Sequence, residues 1–182
     1  MPLQFTTSYL EDALSLLRYY KSLAERAMEQ VTDPDLVAVL DGEMNSIAVI
    51  VKHMVGNMRS RWTDFLTSDG EKPDRNREGE FRDPAASRAT LMREWTDGWA
   101  SVFQALEPLT EADLGRTVMI RGEAHSVLQA ISRQLAHYAY HCGQIVLLAK
   151  HFQHDRWKSL SVPRGQSVRF TEAVRKGEAS QR

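Results

Sequence analysis

The sequence predicts an all-α protein, folded as a four-helix bundle of the up-and-down type. Four segments carry apolar residues at helical spacing, and they cover residues 3–30, 34–66, 87–106 and 126–152. A long charged loop separates the second and third segments, and a short extended stretch precedes the fourth. The chain has 182 residues, of which 42% are hydrophobic, so it is long enough for one domain with a substantial core.

The second predicted helix is the longest of the first three. Asp33 followed by Pro34 is a helix start signal, because proline fits the first turn of a helix. The apolar residues that then recur at helical spacing are Leu36, Leu40, Met44, Ile47, Val51, Met54, Met58, Trp62 and Phe65. This pattern predicts one continuous helix over residues 34–66.

Residues 67–84 form the charged loop, and their glycines, prolines and mixed charges predict neither helix nor strand. One interpretation is a solvated connection, which a run of mixed charge favours. The other is a lid over an active site, because loops this long in compact domains are often active-site covers. Phe81 would then anchor the lid.

A small hairpin is predicted before the fourth helix, from Thr117-Val118-Met119-Ile120 followed by Arg121-Gly122-Glu123. The fourth helix is apolar on two nearly opposite sides, one with His137 and His141 and the other with Leu128, Leu135, Ala139, Cys142 and Val146. A helix that is apolar almost all round is buried on most sides. We therefore expect a homodimer that forms through the fourth helix. Residues 1–170 form the predicted domain, and the polar residues 171–182 a flexible tail.

Composition excludes several classes of protein. The 23 basic and 24 acidic residues give a formal net charge of −1, which favours neither nucleic acid nor an anionic membrane surface. No apolar run approaches the ~20 residues that span a bilayer, and no secretory signal is visible near Met1. The single cysteine, Cys142, excludes an intrachain disulfide. These features predict a cytoplasmic location.

A pair of histidines in the fourth helix carries the chemistry that the sequence indicates. His137 and His141 are four residues apart, so their rings stack on one helix face and can bind one transition-metal ion. Two ligands make a weak site, and His53 in the second helix is the best third candidate, although it lies to one side of that helix's apolar stripe. Tyr138 stands where the metalloprotease pattern has a glutamate, so that pattern is absent.

Four polar residues lie within a turn of these histidines and are candidates to line a pocket: Asn57, Arg61, Arg133 and Gln144. The two arginines either hold an anionic group of a substrate or form structural ion pairs. Cys142 points away from the histidine face, which indicates a core or interface position and neither a metal ligand nor a nucleophile.

The arrangement of four helices with His53 in the second and His137 and His141 in the fourth resembles the DinB/YfiT-like superfamily of metal-dependent enzymes. Residues 53–66, continuing through 69–72, and residues 161–165 resemble a branch of unknown function. The resemblance implies that the three histidines are the metal ligands and that the bundle is dimeric. Characterised members of that superfamily include bacterial thiol-dependent transferases and isomerases, and amide hydrolases have been suggested.

Three imidazoles leave open coordination positions on an ion, where a bound water or thiol has a lowered pKa. The catalytic group is thus left open between a metal-bound water and a metal-bound thiolate. Nitrogen ligands suit Zn or Ni, and also Fe. The favoured hypothesis is a metal-dependent transferase, using a low-molecular-weight thiol, or a hydrolase, acting on a small molecule. The alternative is a non-catalytic bundle with a structural or sensing metal site in a stress response.

Overall fold

A computed structural model describes residues 5–82 and 87–180 of the chain. Over this range the secondary structure is helical except for one antiparallel hairpin. In chain order the elements are α1 (Tyr9–Met28), α2 (Asp33–Val37), α3 (Ile47–Trp62), α4 (Arg77–Glu80), α5 (Arg88–Leu106), β1 (Thr117–Ile120), β2 (Glu123–Ser126), α6 (Val127–Gln153) and α7 (Ser167–Arg175), with short 3-10 turns at Glu111–Gly115 and His154–Arg156. The predicted all-α bundle is confirmed.

Four long helices form the bundle. Helix α1 packs mainly on α6, and α3 packs on both α5 and α6. The core between them contains large side chains with no solvent exposure, among them Trp95, Trp99 and Tyr138. Because α3 lies between two neighbours, nearly all of its side chains are buried. This position allows a polar residue on α3 to face α6 while apolar residues face α5.

Two predicted helix boundaries agree closely with the structure. Ser126 caps the start of α6 by accepting a hydrogen bond from the Gln129 backbone N–H, and the Gln129 side chain caps Ser126 in return. Helix α5 ends at Leu106, as predicted. The first predicted helix starts later than expected, because Ser8 caps α1 just before Tyr9. Its predicted start at residue 3 lies outside the described residues.

The prediction of one continuous helix over residues 34–66 is wrong. Helix α2 ends at Val37, and α3 begins only after Ser46, whose hydroxyl accepts a hydrogen bond from the Val49 backbone N–H. Between them Asp41 starts a turn, with its side chain accepting from the Glu43 backbone N–H. Leu40 and Met44, expected in the core stripe, are exposed. The break leaves His53 near the middle of a shorter, fully packed helix.

The predicted hairpin is confirmed. Strands β1 and β2 pair antiparallel, with Ile120 opposite Glu123. Arg121 and Gly122 form the two-residue turn with φ values of 56° and 75°, the left-handed conformation that a tight hairpin requires at both positions.

The carboxyl-terminal region contains a further helix. Helix α7 spans Ser167–Arg175 and crosses the boundary predicted at residue 170, and the flexibility of residues 171–182 stays a prediction. Residues 181 and 182 lie outside the described residues. None of the helices in the ranges 5–82 and 87–180 is both long and apolar enough to cross a membrane.

Candidate metal centre

His53 on α3 meets His137 and His141 of α6 at one point in the bundle. The Nε2 atom of His137 lies 3.3 Å from Nε2 of His53 and 3.0 Å from Nε2 of His141. His53 is buried, and the other two rings are partly buried. The structure therefore brings together the three histidines that the sequence singled out, and we call them the histidine trio.

Two members of the trio have their outer ring nitrogen held by a hydrogen bond. Glu80 Oε2 accepts from Nδ1–H of His53 at 2.9 Å, and Gln144 Oε1 accepts from Nδ1–H of His141 at 2.7 Å. A protonated Nδ1 leaves Nε2 with its lone pair. Both lone pairs are consequently directed toward His137. A carboxylate or amide behind a histidine is typical of metal ligands, because it fixes the tautomer and the ring orientation.

Burial keeps the two α6 histidines of the trio in the form that binds metal. Burial lowers the pKa of His137 from its ordinary value of 6.5 to about 3, and the neighbouring His141 and His53 lower it further. Burial also lowers the pKa of His141, although its hydrogen bond to Gln144 acts in the opposite direction. Both rings are neutral at physiological pH, as metal coordination requires.

The trio fits a small transition-metal ion. Zinc–nitrogen bonds of ~2.0–2.1 Å in a tetrahedral site place two ligand nitrogens roughly 3.3 Å apart. The two separations from His137, 3.3 and 3.0 Å, match that spacing, and the ligand atoms of all three residues lie within 4.8 Å of one another. Three neutral imidazoles are also a donor set that first-row divalent metals accept. Among the residues that the structure describes, no fourth His, Cys, Asp or Glu joins the group.

Glu80 is a site residue that the sequence analysis did not identify. It comes from α4 in the charged loop, and only 5% of it is exposed. Arg75 holds its carboxylate through two hydrogen bonds, from Nε at 2.8 Å and from Nη2 at 2.9 Å. Burial alone would raise the pKa of Glu80, but the hydrogen bonds from His53 and Arg75 hold it below the ordinary value. Glu80 is thus an ionised acceptor behind His53.

Gly56 makes room for this carboxylate. A Cβ atom built at Gly56 would lie 2.2 Å from Oε1 of Glu80, far inside van der Waals contact. The glycine is in the middle of α3, where any side chain would displace Glu80 from its place behind His53. An isolated glycine inside a helical pattern is the sequence signal that could have indicated such a close approach.

The charged loop is fastened to the rest of the protein at several points. Ser60 Oγ donates to the Gly70 carbonyl and accepts from the Lys72 N–H, and Gly70 N–H donates to the Met119 carbonyl. At its far end the Phe81 ring lies 4.9 Å from the His53 ring, centre to centre. The loop therefore covers one side of His53, and the solvated-connection interpretation fails for Glu80, which is buried, and for the Arg75 side chain, of which 5% is exposed. Opening of the loop as a lid stays a prediction.

Asp69 ties the charged loop to the hairpin turn. Its Oδ1 accepts from the Arg121 N–H at 2.8 Å and its Oδ2 from the Gly122 N–H at 2.7 Å. These bonds and one from the Glu71 N–H lower the pKa of Asp69 from its ordinary 3.8 to about 2. A lowered folded-state pKa means that ionised Asp69 stabilises the fold above pH ~4, and that this contribution is lost as the pH falls toward 2.

We expect Asp69→Asn to lower Tm by roughly 2–4 °C at pH 7, the shift that about 1 kcal/mol produces in a protein of this size. The difference from the unchanged protein should shrink as the pH falls from 4 to 2, because the aspartate is then protonated in both states. Thermal unfolding followed by circular dichroism across that pH range measures it. Equal Tm values at pH 7 would show that Asp69 does not hold the loop.

The four residues predicted to line a pocket differ in burial and in hydrogen bonding. Asn57 is buried and accepts a hydrogen bond from the Tyr138 hydroxyl at 3.0 Å, while that hydroxyl accepts from Trp62 Nε1 at 2.8 Å. Gln144 lies behind His141, as described above. Arg61 is buried on α3, whereas Arg133 is exposed on α6.

Cys142 has the core position predicted for it. It has no solvent exposure, and burial raises the pKa of its thiol from 9.0 to about 12. A thiol that is neutral and inaccessible is inert toward electrophiles. Any nucleophile at the histidine trio must therefore have another source.

The chain matches one known protein family. The model of a family described as "Protein of unknown function (DUF1572)" matches residues 4–166. The chain belongs to this family. None of the curated proteins compared with it matches.

The DUF1572 match includes every residue described at the metal centre. The histidine trio, Gly56, Glu80 and Gln144 all lie within residues 4–166, and the match ends just before α7 begins at Ser167. The family region therefore corresponds to the bundle with its charged loop and hairpin.

Proposed function

We propose that this protein is a metal-dependent enzyme of the DinB/YfiT-like superfamily that acts on a small molecule. Its reaction is a group transfer with a low-molecular-weight thiol as co-substrate, or a hydrolysis. The observation that supports the proposal is the convergence of three Nε2 atoms, with separations of 3.0 and 3.3 Å, from two helices that are distant in sequence. His53, His137 and His141 would hold the ion.

The ion is a divalent transition metal, with Zn²⁺ or Ni²⁺ favoured and Fe²⁺ a further candidate, because the donors are three imidazole nitrogens. When bound, it acts as a Lewis acid that lowers the pKa of a water or thiol in an open position. The protein's own contribution is to orient the trio. Glu80 and Gln144 fix two of the rings, and Phe81 shields one side of His53 from water.

Two features favour a catalytic over a structural site. Structural zinc sites are closed by four protein ligands, whereas the trio supplies three within the described part of the chain. The only cysteine, Cys142, is buried, so it does not supply the fourth ligand that a structural site needs. Its raised pKa also means that it is not a covalent nucleophile. A reaction at this site therefore depends on an activated water or an added thiol, as the two proposed reactions require.

Metal content is the first test of this proposal. Purified protein loaded with Zn²⁺ or Ni²⁺ should bind about one ion per chain, measured by elemental analysis after gel filtration. Loaded protein should then convert an electrophile in the presence of a small thiol, or hydrolyse an amide, and chelation should stop the reaction. A protein that binds no ion, or whose activity survives complete chelation, would refute the proposal.

We also propose that the protein forms a homodimer through α6. Four exposed apolar or small residues, Ala136, Tyr140, Gly143 and Leu147, recur at spacings of four, three and four along this helix, as in a coiled-coil seam. Tyr140 and Leu147 are 62% and 61% exposed, which is unusual for side chains of this size. Cys142, for which the sequence left a core or an interface position open, is in the core and outside this seam.

Leu147→Glu should convert the dimer into a monomer, because a charge in the seam would be desolvated on association. Light scattering coupled to gel filtration should give twice the mass of one chain for the unchanged protein and the mass of one chain for the variant. Val168→Glu, at an exposed apolar position on α7, is the matched control and should remain dimeric. A monomeric unchanged protein at micromolar concentration would exclude the dimer.

A further inference from the structure

Arg61 is a buried cation that forms no hydrogen bond or ion pair with any other residue that the structure describes. Only 6% of the residue is exposed, and its Nε and Nη1 atoms are fully enclosed without a hydrogen-bond acceptor among the described residues. Burial lowers the pKa of its guanidinium, since water no longer solvates the charge. Buried arginines are normally paired, because an isolated charge in the interior is costly.

Arg75 shows what a structural arginine looks like in the same region. Only 5% of its side chain is exposed, but it makes hydrogen bonds to Glu80 and an ion pair with Glu71. Arg121 also contacts Glu71, at 3.2 Å. The carboxylates of Glu71 and Glu80 therefore already bind other groups, and neither forms a hydrogen bond or an ion pair with Arg61.

The position of Arg61 connects it with the metal centre. His53, Asn57 and Arg61 are spaced four residues apart, so they lie on one face of α3, and Arg61 is about 12 Å along the helix from His53. This face is turned to α6, as the contacts of His53 with His137 and of Asn57 with Tyr138 show. Arg61 thus lies at the end of the same interhelical surface as the trio.

We infer that Arg61 is the binding site for a carboxylate group of the substrate. A guanidinium presents two parallel N–H donors, which match the two oxygens of a carboxylate. That the bound carboxylic acid is a substrate rests on the proposed function, whereas its binding to Arg61 does not. The inference extends the proposed function by naming the substrate as a small carboxylic acid.

The charged loop controls access to this site. A Cβ atom built at Gly70 would lie 2.6 Å from Nη1 and 3.0 Å from Cδ of Arg61, so the loop backbone lies directly on the side chain. A ligand reaches Nη1 only when this part of the loop moves away. Binding of the carboxylate is consequently coupled to displacement of the loop at Gly70.

Thermal unfolding of chelated protein tests the inference without any reaction. Arg61→Met should raise Tm by about 2–4 °C in chloride buffer, because it removes an unpaired buried charge. Arg75→Met, which breaks a paired arginine, should lower Tm, and Arg93→Met, at an exposed arginine on α5, should leave it unchanged. Acetate and succinate, compared with chloride at equal ionic strength, should raise Tm of the unchanged protein and not of Arg61→Met.

Titration calorimetry with succinate should show an affinity lower by roughly 10–100-fold for Arg61→Met, the range expected for loss of a charge-assisted hydrogen bond. If Arg61→Met does not fold, Arg61→Lys replaces it, since it keeps the charge without the paired donors and should bind at least about tenfold more weakly. A fall in Tm for Arg61→Met, together with no specific response of the unchanged protein to carboxylates, would overturn the inference.

The same titration separates this inference from the proposed function. Carboxylate binding that depends on Arg61, in a protein that takes up no ion when loaded with Zn²⁺ or Ni²⁺, would support the anion site and refute the metalloenzyme. A protein that binds one ion at the trio but shows no response to carboxylates would retain the metal centre and lose the anion site.

Discussion

His137→Ala is expected to abolish stable metal binding while the helix content stays unchanged. His137 is the central member of the trio, since its Nε2 atom lies 3.0 and 3.3 Å from the other two. Its removal leaves His53 and His141, and two ligands make a weak site. We expect the affinity for Zn²⁺ to fall by more than the 10–100-fold that loss of an outer-shell partner costs. Elemental analysis and competition with a chromogenic chelator measure it.

Controls on the same helix separate metal binding from folding. His151→Ala, at an exposed position on α6, should bind metal like the unchanged protein. Far-UV circular dichroism of metal-free His137→Ala should match that of the metal-free parent, because burial already keeps the ring neutral and its Nδ1 makes no hydrogen bond with the described residues. One ion per chain retained at full affinity in His137→Ala would show that the trio is not the metal site.

Gly56→Ala should weaken metal binding by roughly 10–100-fold, although the substituted residue touches no metal ligand. The new Cβ would lie 2.2 Å from Oε1 of Glu80, so the carboxylate must leave its position behind His53. Alanine is favoured over glycine in a helix by about 0.5–1 kcal/mol, and this gain offsets part of the cost of displacing a buried side chain. The free energy of unfolding should therefore change little, whereas the affinity for metal should fall clearly.

A double-mutant cycle identifies Glu80 as the cause. Glu80→Ala alone should reduce affinity by a similar factor, because His53 loses its acceptor. In the Glu80→Ala background Gly56→Ala should have no further effect, since the side chain it displaces is gone. Additive losses in the double variant would place the effect of Gly56→Ala elsewhere in α3.

The sequence was sufficient for the pair in the fourth helix because its members follow a local rule. A four-residue separation places His137 and His141 on one face of any helix. The position of His53 away from the centre of its apolar stripe suggested a weaker candidate. The structure explains this position, since α3 is buried against α5 and α6 at once and the side that carries His53 faces α6.

Glu80 could not be predicted because nothing local links it to His53, 27 residues away. Its role depends on the path of the charged loop, which is set by contacts of Asp69 and Gly70 with the hairpin. The break between α2 and α3 is a different kind of error. Gly42, in the turn between the two helices, and Ser46, which caps α3, are local signals of the break, and the helical spacing of Leu40 and Met44 concealed them.

The burial of Cys142 has a practical consequence for assays. The native protein has one thiol, and it is both shielded and protonated, so it should not react with disulfide or maleimide reagents. Thiol consumed in a reaction mixture can then be assigned entirely to the small molecule that was added. Counting sulfhydryl groups before and after turnover would give the stoichiometry directly, without a correction for the protein.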